Sequence, residues 1–102
     1  MFNINGEIWR VLEVPSNHPG LRRSDGSFTV GVCDDAIKTI FLNENLENGL
    51  LKKVLCHEIT HAAMFSYNIE MDLMQEEMIA DLLATYGQEI ISITNKIYNR
   101  IK

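Results

Sequence analysis

The sequence predicts an α+β domain in which a small antiparallel sheet of about three strands packs beside two or three helices. Short runs of β-branched and aromatic residues fill the N-terminal half of the 102-residue chain, whereas apolar residues recur at helical spacing in the C-terminal half. Hydrophobic residues make up 46% of the chain and charged residues 23%, as in ordinary globular domains. We therefore expect residues 1–102 to form a single domain with one hydrophobic core.

Three segments of the N-terminal half have the composition of strands. Residues 6–14 predict the first strand. Residues 28–33 and 37–42 predict an antiparallel hairpin, because the intervening residues 34–36, Asp-Asp-Ala, are a turn signal. Before the hairpin, residues 15–27 hold both prolines and predict a long polar loop.

The C-terminal half predicts two helices that pack against each other. The first begins at residue 46 or 49 and ends at residue 65, and its apolar stripe consists of Leu51, Val54, Leu55, Ile59, Ala62 and Ala63. Residues 66–70 break the pattern, so the second helix is expected to fold back on the first. The stripe of this second helix consists of Met71, Met74, Met78, Leu82 and either Thr85 or Tyr86.

The last segment, residues 89–101, predicts an amphipathic third helix. Its isoleucines recur at helical spacing at positions 90, 93, 97 and 101. Gly87 indicates a stop or a kink before this helix. The isoleucine stripe predicts either part of the core or a face for homo-oligomer formation, since a small sheet offers little surface to cover it.

The most informative segment, His57-Glu58-Ile59-Thr60-His61, lies in the first predicted helix. Residues four apart on a helix lie on one face, so His57 and His61 can direct their imidazole nitrogens at one metal ion. Glu58 is rotated by about 100° from His57, which places its carboxylate where it can act as a general base toward a metal-activated water. The alternative for the same pattern is a helix with two partly buried, hydrogen-bonded histidines and no metal.

A catalytic zinc site typically has three protein ligands and leaves the fourth position to water, so a third ligand is needed. Glu77 and Asp81 are four apart on the second predicted helix, and both can therefore face the first. Glu77 is the candidate third ligand, and Asp81 is the candidate acceptor for the outer ring nitrogen of a ligating histidine. Glu76 competes for the ligand role. His18, in the long loop, is either a surface histidine or a fourth ligand.

The order of these side chains resembles the gluzincin arrangement of zinc metallopeptidases, in which Glu77-x-x-x-Asp81 follows His57-Glu58-x-x-His61 sixteen residues after the second histidine. The resemblance implies that Glu77 is the third ligand of Zn²⁺ and that Asp81 orients a zinc-bound histidine. It also implies hydrolysis of a peptide bond by a zinc-activated water, with Glu58 as the catalytic base.

The size of the chain and the order of its elements are similar to the minigluzincins and to the ImmA/IrrE-type metallopeptidases of bacteria, phages and mobile elements. The resemblance covers about residues 28–87. It implies a minimal zincin-like domain in which residues 38–42, the strand before the zinc helix, border the cleft and bind an extended peptide or protein substrate. Larger members add a domain with transition-state-stabilising residues, and Tyr67 is the candidate for that role here. The alternative is a catalytically weak or inactive zincin-like zinc-binding protein that captures a regulator or host protein.

Charge and the N-terminal segment limit the partners. A net charge of −5 argues against nucleic acid and anionic membranes, which attract basic surfaces, although Arg22 and Arg23 form a small candidate anion site. Residues 1–7 lack the basic and apolar regions of a secretory signal, and no apolar run approaches the roughly 18 residues of a membrane span. We therefore expect a cytoplasmic protein, in which Cys33 and Cys56 are small buried hydrophobes and not a disulfide.

Overall fold

Four strands precede three helices along the chain, which confirms the α+β class, and this computed structural model describes residues 1–102. The strands are β1 (Phe2–Ile4), β2 (Glu7–Val14), β3 (Gly31–Asp34) and β4 (Thr39–Asn43). The helices are α1 (Asn48–Ser66), α2 (Leu73–Leu82) and α3 (Gln88–Ile101). A π-helical turn, Leu83–Gly87, joins α2 to α3 on one helical path, because the residues at both of its ends keep right-handed helical backbone angles.

The strands form one mixed sheet in the order β1-β2-β4-β3. β1 and β2 are antiparallel, and β3 and β4 form the antiparallel hairpin that the turn signal predicted. β2 and β4, however, are parallel, with Val11 opposite Ile40. The prediction of about three antiparallel strands is therefore wrong in strand number and in direction. The stretch between β2 and β4 is long enough for the crossover that parallel pairing requires, and β1, with 3 residues, is too short to show an alternating pattern.

The edge strand beside the helices is β3 and not β4. β4 lies between β2 and β3, and residues 39–42 within it are buried. The expectation that residues 38–42 border the cleft as a free edge is therefore wrong, since an interior strand has no unpaired backbone edge to offer. β3 has a strand partner on one side only and packs beside α1. It is thus the edge strand beside Val54 and Glu58 of this helix.

The main core lies between the sheet and α1. Trp9, Ile40, Leu42 and Ala62 are buried together there. The indole Nε1 of Trp9 donates a hydrogen bond to Oγ of Ser66 at 2.9 Å. Because Trp9 is on β2 and Ser66 is the last residue of α1, this bond fixes the end of the helix on the sheet.

The loop between β2 and β3 has an apolar anchor in its middle. A 3₁₀ turn at Pro19–Leu21 buries Leu21 against Val14 and Phe41. His18 caps this turn, since its Nδ1 accepts a hydrogen bond from a backbone N–H of the turn at 2.9 Å. Its ring also stacks on Phe41, with 5.5 Å between centroids. His18 is therefore a structural residue of the loop.

Local sequence determines where α1 ends and where α2 begins. Asn68 has a φ of 54°, and the N–H of Ile69 donates to the carbonyl of Met64 at 2.9 Å, which closes a Schellman motif after α1. Asp72 caps α2, because its carboxylate accepts a hydrogen bond from the N–H of Gln75 at 2.8 Å. These two signals turn the chain over a few residues and set α2 against α1.

The C-terminal helical stretch is largely exposed. No residue of α3 is buried, and Met74 and Met78 of the predicted α2 stripe also face solvent. The helix does not stop at Gly87, because the π turn carries it through this residue. The molecule measures 51 × 30 × 27 Å, and α3 packs on little besides the π turn. None of the helices combines the length and the apolar character that crossing a membrane requires.

Candidate metal centre

α1 and α2 bring three candidate ligands to one point. His57 and His61 lie one turn apart on α1, and Glu77 lies in the first half of α2. The Nε2 atoms of the two histidines are 3.2 Å apart. The Glu77 carboxylate faces both, with Oε2 3.1 Å from Nε2 of His57 and Oε1 2.9 Å from Nε2 of His61. The structure therefore contains a candidate three-residue metal site made of these side chains.

The separations between these donor atoms fit a single zinc-sized cation. Zinc binds histidine nitrogen and carboxylate oxygen at roughly 2.0–2.2 Å, so two donors at tetrahedral angles are about 3.3 Å apart. The two Nε2 atoms are 3.2 Å apart, and each lies 2.9 or 3.1 Å from its nearer Glu77 oxygen, which is close to that value. Three protein donors also leave one tetrahedral position for a water or a substrate atom.

Two further carboxylates of α2 contact the outer nitrogens of the histidines. Oδ1 of Asp81 lies 2.9 Å from Nδ1 of His57, and Oε1 of Glu76 lies 2.6 Å from Nδ1 of His61. Each carboxylate accepts a hydrogen bond only if the Nδ1 carries a proton, so this network assigns the protonated Nδ1 tautomer to both rings. Asp81 and Glu76 thus fix the orientation of the two imidazoles.

With both Nδ1 atoms donating outward, the inner side of the cluster consists of acceptors. The lone pairs of two Nε2 atoms and the Glu77 carboxylate converge within 3.2 Å of one another. Converging acceptors repel unless a cation lies between them. The metal-free alternative requires protons on the inner nitrogens, which would then donate to Glu77. Metal analysis distinguishes these two states.

Glu58 lies next to His57 on α1 and is buried against β3. Burial raises the pKa of its carboxyl group above the ordinary value, and a positive charge on His57 or His61 would oppose that rise. Gly31 of β3 leaves the room that Glu58 occupies. A Cβ at this glycine would lie 3.1 Å from Oε2 of Glu58 and 2.7 Å from Cγ1 of Val54, which is too close for both contacts to persist.

An open cleft of about 640 Å³ connects the candidate ligands to the edge of the sheet. Residues 29–32, at the start of β3, line one wall, and α1 and α2 line the other with the candidate ligands and Glu58. Two cationic side chains also line the cleft, Arg23 from the long loop and Lys53 from α1. Nη2 of Arg23 donates a hydrogen bond to Oγ1 of Thr29 at 3.2 Å, which holds it beside the edge strand.

Three side chains that could contact a metal ion or an oxyanion lie outside the site. Tyr67, the candidate transition-state stabiliser, caps the C-terminal end of α1, is exposed and does not line the cleft. His18 does not join the candidate ligands, because its Nδ1 is used by the loop. Cys56 lines a separate crevice between α1 and the start of α3. None of these side chains supplies a fourth protein ligand.

The structure adds three features that sequence reasoning missed. Glu76 contacts His61, although the sequence presented it only as a competitor for the role of Glu77. Arg23 lines the cleft, and the adjacent pair of arginines in the loop was the one signal for it. The free edge belongs to residues 29–32 and β3, which the sequence marked only as one half of a hairpin.

Comparison of the chain with family models, curated proteins and solved structures found no match. Its class is therefore defined by its own fold and side chains. It is an α+β domain with a four-stranded mixed sheet and a candidate metal site of two histidines and one glutamate.

Proposed function

We propose that this chain is a zinc-dependent metallopeptidase of the gluzincin type, built as a minimal zincin-like domain similar to the minigluzincins and the ImmA/IrrE-type enzymes. One observation carries the proposal: Nε2 of His57, Nε2 of His61 and the carboxylate of Glu77 converge in the wall of an open cleft. Two imidazoles and a carboxylate are a donor set that suits zinc. Bound there, zinc would polarise the scissile carbonyl and lower the pKa of a water molecule.

The remaining chemistry belongs to Glu58. Its carboxylate is buried beside the candidate ligands, and burial raises its pKa, which makes it a better proton acceptor than an exposed glutamate. We assign it the role of general base, which removes a proton from the attacking water and then delivers that proton to the leaving amine. Asp81 and Glu76 keep the two imidazoles in position while this occurs.

The substrate in this proposal is an extended segment of a peptide or protein. β3 has a strand partner on one side only, and its first residues line the cleft. An extended substrate can add to such an edge through backbone hydrogen bonds, which require little side-chain specificity. The edge lies across the cleft from the candidate ligands, so a bound segment would lie between β3 and the ligands on α1 and α2.

The first test is metal content together with Glu77→Ala. Protein purified without chelators is expected to hold about one zinc ion per chain, and Glu77→Ala is expected to weaken zinc binding by about 100-fold or more. Competition with a chromogenic chelator measures the affinity. Glu70→Ala, which removes an exposed acid from the turn between α1 and α2, is the matched control. Unchanged affinity in Glu77→Ala would move the third-ligand role to Glu76.

The second test separates catalysis from metal binding. Glu58→Gln is expected to keep zinc and to lose cleavage of an unstructured peptide library by a factor of about 10²–10⁴, with products read by mass spectrometry. Glu70→Gln is the control and should cleave at the wild-type rate. Equal cleavage by Glu58→Gln and wild type would exclude Glu58 as the base.

The position of Tyr67 favours a second candidate, a zincin-like zinc-binding protein that captures a regulator or host protein without cleaving it. Tyr67 is exposed at the end of α1, and no tyrosine or additional histidine lines the cleft. Stabilisation of a developing oxyanion would then depend on Arg23 or Lys53. Stoichiometric zinc with no cleavage of the library by wild-type protein would support this candidate over the enzyme.

A further inference from the structure

α3 carries an apolar face that the rest of the chain leaves uncovered. Ile90, Ile93 and Ile97 are 49%, 48% and 52% exposed. They follow the 3–4 spacing of positions a, d and a in a heptad, which is the spacing of a seam between two paired helices. No residue of α3 is buried, so this helix gains little from packing within one copy of the chain.

The opposite side of α3 is the side that approaches α1. Nζ of Lys52 on α1 donates a hydrogen bond to Oε1 of Gln88 at 2.8 Å. Asn95, two turns further along α3, lines the same crevice as Cys56 of α1. At 100° per residue, Ile97 lies about 180° around the helix from Gln88. The isoleucine face therefore points away from the body of the chain.

The charged side chains beside this seam form a self-complementary pattern, so two copies of α3 can attract each other. Glu89 and Lys96 both occupy the heptad position before a seam isoleucine. In an antiparallel pair that sets Ile90 of one copy opposite Ile93 of the other, Glu89 of each copy lies opposite Lys96 of the other. A parallel pair in register would place Glu89 beside the uncharged Thr94 and form no such ion pair.

We propose that α3 pairs with α3 of a second copy in a two-fold symmetric, antiparallel dimer. A second copy is the occupant because one patch carries both halves of the charge complement, as an isologous interface requires. Antiparallel pairing also sets the basic end of α3, with Arg100 and Lys102, beside the end of the partner helix that carries Glu89. The helix dipoles then oppose each other as well.

Sedimentation velocity of the full chain over a range of protein concentrations tests the dimer. Wild type is expected to form a dimer, and the double variant Ile93→Gln/Ile97→Gln is expected to stay monomeric. Ile37→Gln is the matched control, since Ile37 is 54% exposed but lies in the turn before β4. Circular dichroism verifies that each variant keeps its helices. A dimer of unchanged strength in the double variant would overturn the proposal.

Charge reversal tests the antiparallel arrangement itself. Lys96→Glu alone and Glu89→Lys alone each replace attraction by repulsion at two symmetric places, which is expected to weaken dimerisation by about tenfold. The combination Glu89→Lys/Lys96→Glu restores opposite charges and is expected to restore the wild-type dissociation constant. Dimerisation of the combined variant as weak as that of either single variant would exclude this pairing.

A wild-type protein that stays monomeric at its highest soluble concentration would overturn the dimer, leaving the face to a different partner or to solvent. Neither measurement depends on zinc or cleavage.

Discussion

The candidate metal centre and α3 depart from the usual distribution of side chains in opposite ways. At the candidate metal centre, the ionisable side chains of Glu58 and His61 are buried, and no buried polar side-chain atom of the chain is without a hydrogen-bond partner. Along α3, large apolar side chains are about half exposed and none is buried. Burial of ionisable groups and exposure of apolar faces are both costly unless a partner compensates. The two regions therefore support two different proposals, a bound cation for the first and a second protein surface for the second.

The largest expected effect is the difference in stability between the main core, on which the helix of the metal centre packs, and α3. Ile40 lies in the core beside α1 and is fully buried, so Ile40→Ala is expected to lower the free energy of unfolding by about 2–5 kcal/mol. Ile97→Ala, on the exposed face of α3, is expected to change it by less than about 0.5 kcal/mol when measured on dilute monomer. Urea unfolding followed by circular dichroism measures both values. A large loss in Ile97→Ala under dilute conditions would show that α3 is part of the core after all.

Within the metal centre, the two outer carboxylates are expected to differ. The side chain of Glu76 is 18% exposed and that of Asp81 is 70% exposed, so water screens the contact of Asp81 with His57 more strongly. Removal of an outer partner typically costs 10–100-fold in metal affinity. We expect Glu76→Gln to fall at the upper end of that range, about 100-fold, and Asp81→Asn near about tenfold. Chelator competition measures both, with Glu70→Gln as the control, and a larger loss in Asp81→Asn would contradict the order.

Alanine substitutions at two glycines are expected to have opposite effects on stability, because Gly31 lies in a crowded wall of the cleft and Gly49 in an open first turn of α1. Gly31→Ala puts a methyl group 2.7 Å from Val54 and 3.1 Å from Glu58, and is expected to lower the free energy of unfolding by about 1–3 kcal/mol. Gly49→Ala, in the first turn of α1, meets nothing within 4 Å and is expected to raise it by about 0.5–1 kcal/mol. Thermal unfolding measures both variants, and the midpoint is expected to fall for Gly31→Ala and to rise for Gly49→Ala. If both variants were stabilised, the contact between β3 and Glu58 would be looser than described.

The predictable parts of the fold are those that local sequence determines. The first helix was predicted to begin at residue 46 or 49 and to end at 65, and α1 spans Asn48–Ser66, because periodicity and the turn at Asn68 are local signals. The hairpin of β3 and β4 was predicted for the same reason. The parallel pairing of β2 with β4 joins distant segments, and no local pattern specifies it. The exposure of α3 was also beyond prediction, since periodicity shows an apolar stripe but not what covers it.

The candidate site shows the same division. Spacing along each helix predicted that His57 and His61 share a face and that Glu77 and Asp81 share another, and the structure sets these faces together. The contact of Glu76 with His61 depends on how far α2 is rotated against α1, which spacing does not specify. Tyr67 is close to the motif in sequence, but it caps the C-terminal end of α1 and is exposed there, outside the cleft.

A further prediction concerns the thiol of Cys33, which lies on β3 and packs against the main core. Burial raises the pKa of this thiol to about 12, and the negative charge of Glu58 adds to the rise. Only the thiolate is a nucleophile, so at pH 8 the folded protein presents it in about one molecule in ten thousand. We expect iodoacetamide to label Cys33 far more slowly in folded protein than in urea, as followed by mass spectrometry of the peptide that contains it.

The same shift sets the direction of a pH effect on stability. Because the pKa is raised from 9.0 in the reference state to about 12 in the folded protein, the folded state favours the protonated thiol. This contribution is fully present below about pH 9 and decreases as the pH rises toward 12, so wild type should lose stability over that range relative to Cys33→Ala. Parallel urea titrations of the two proteins at pH 8 and pH 10 measure the difference. Identical pH dependence, or rapid labelling of folded Cys33, would show that water reaches this side of the sheet.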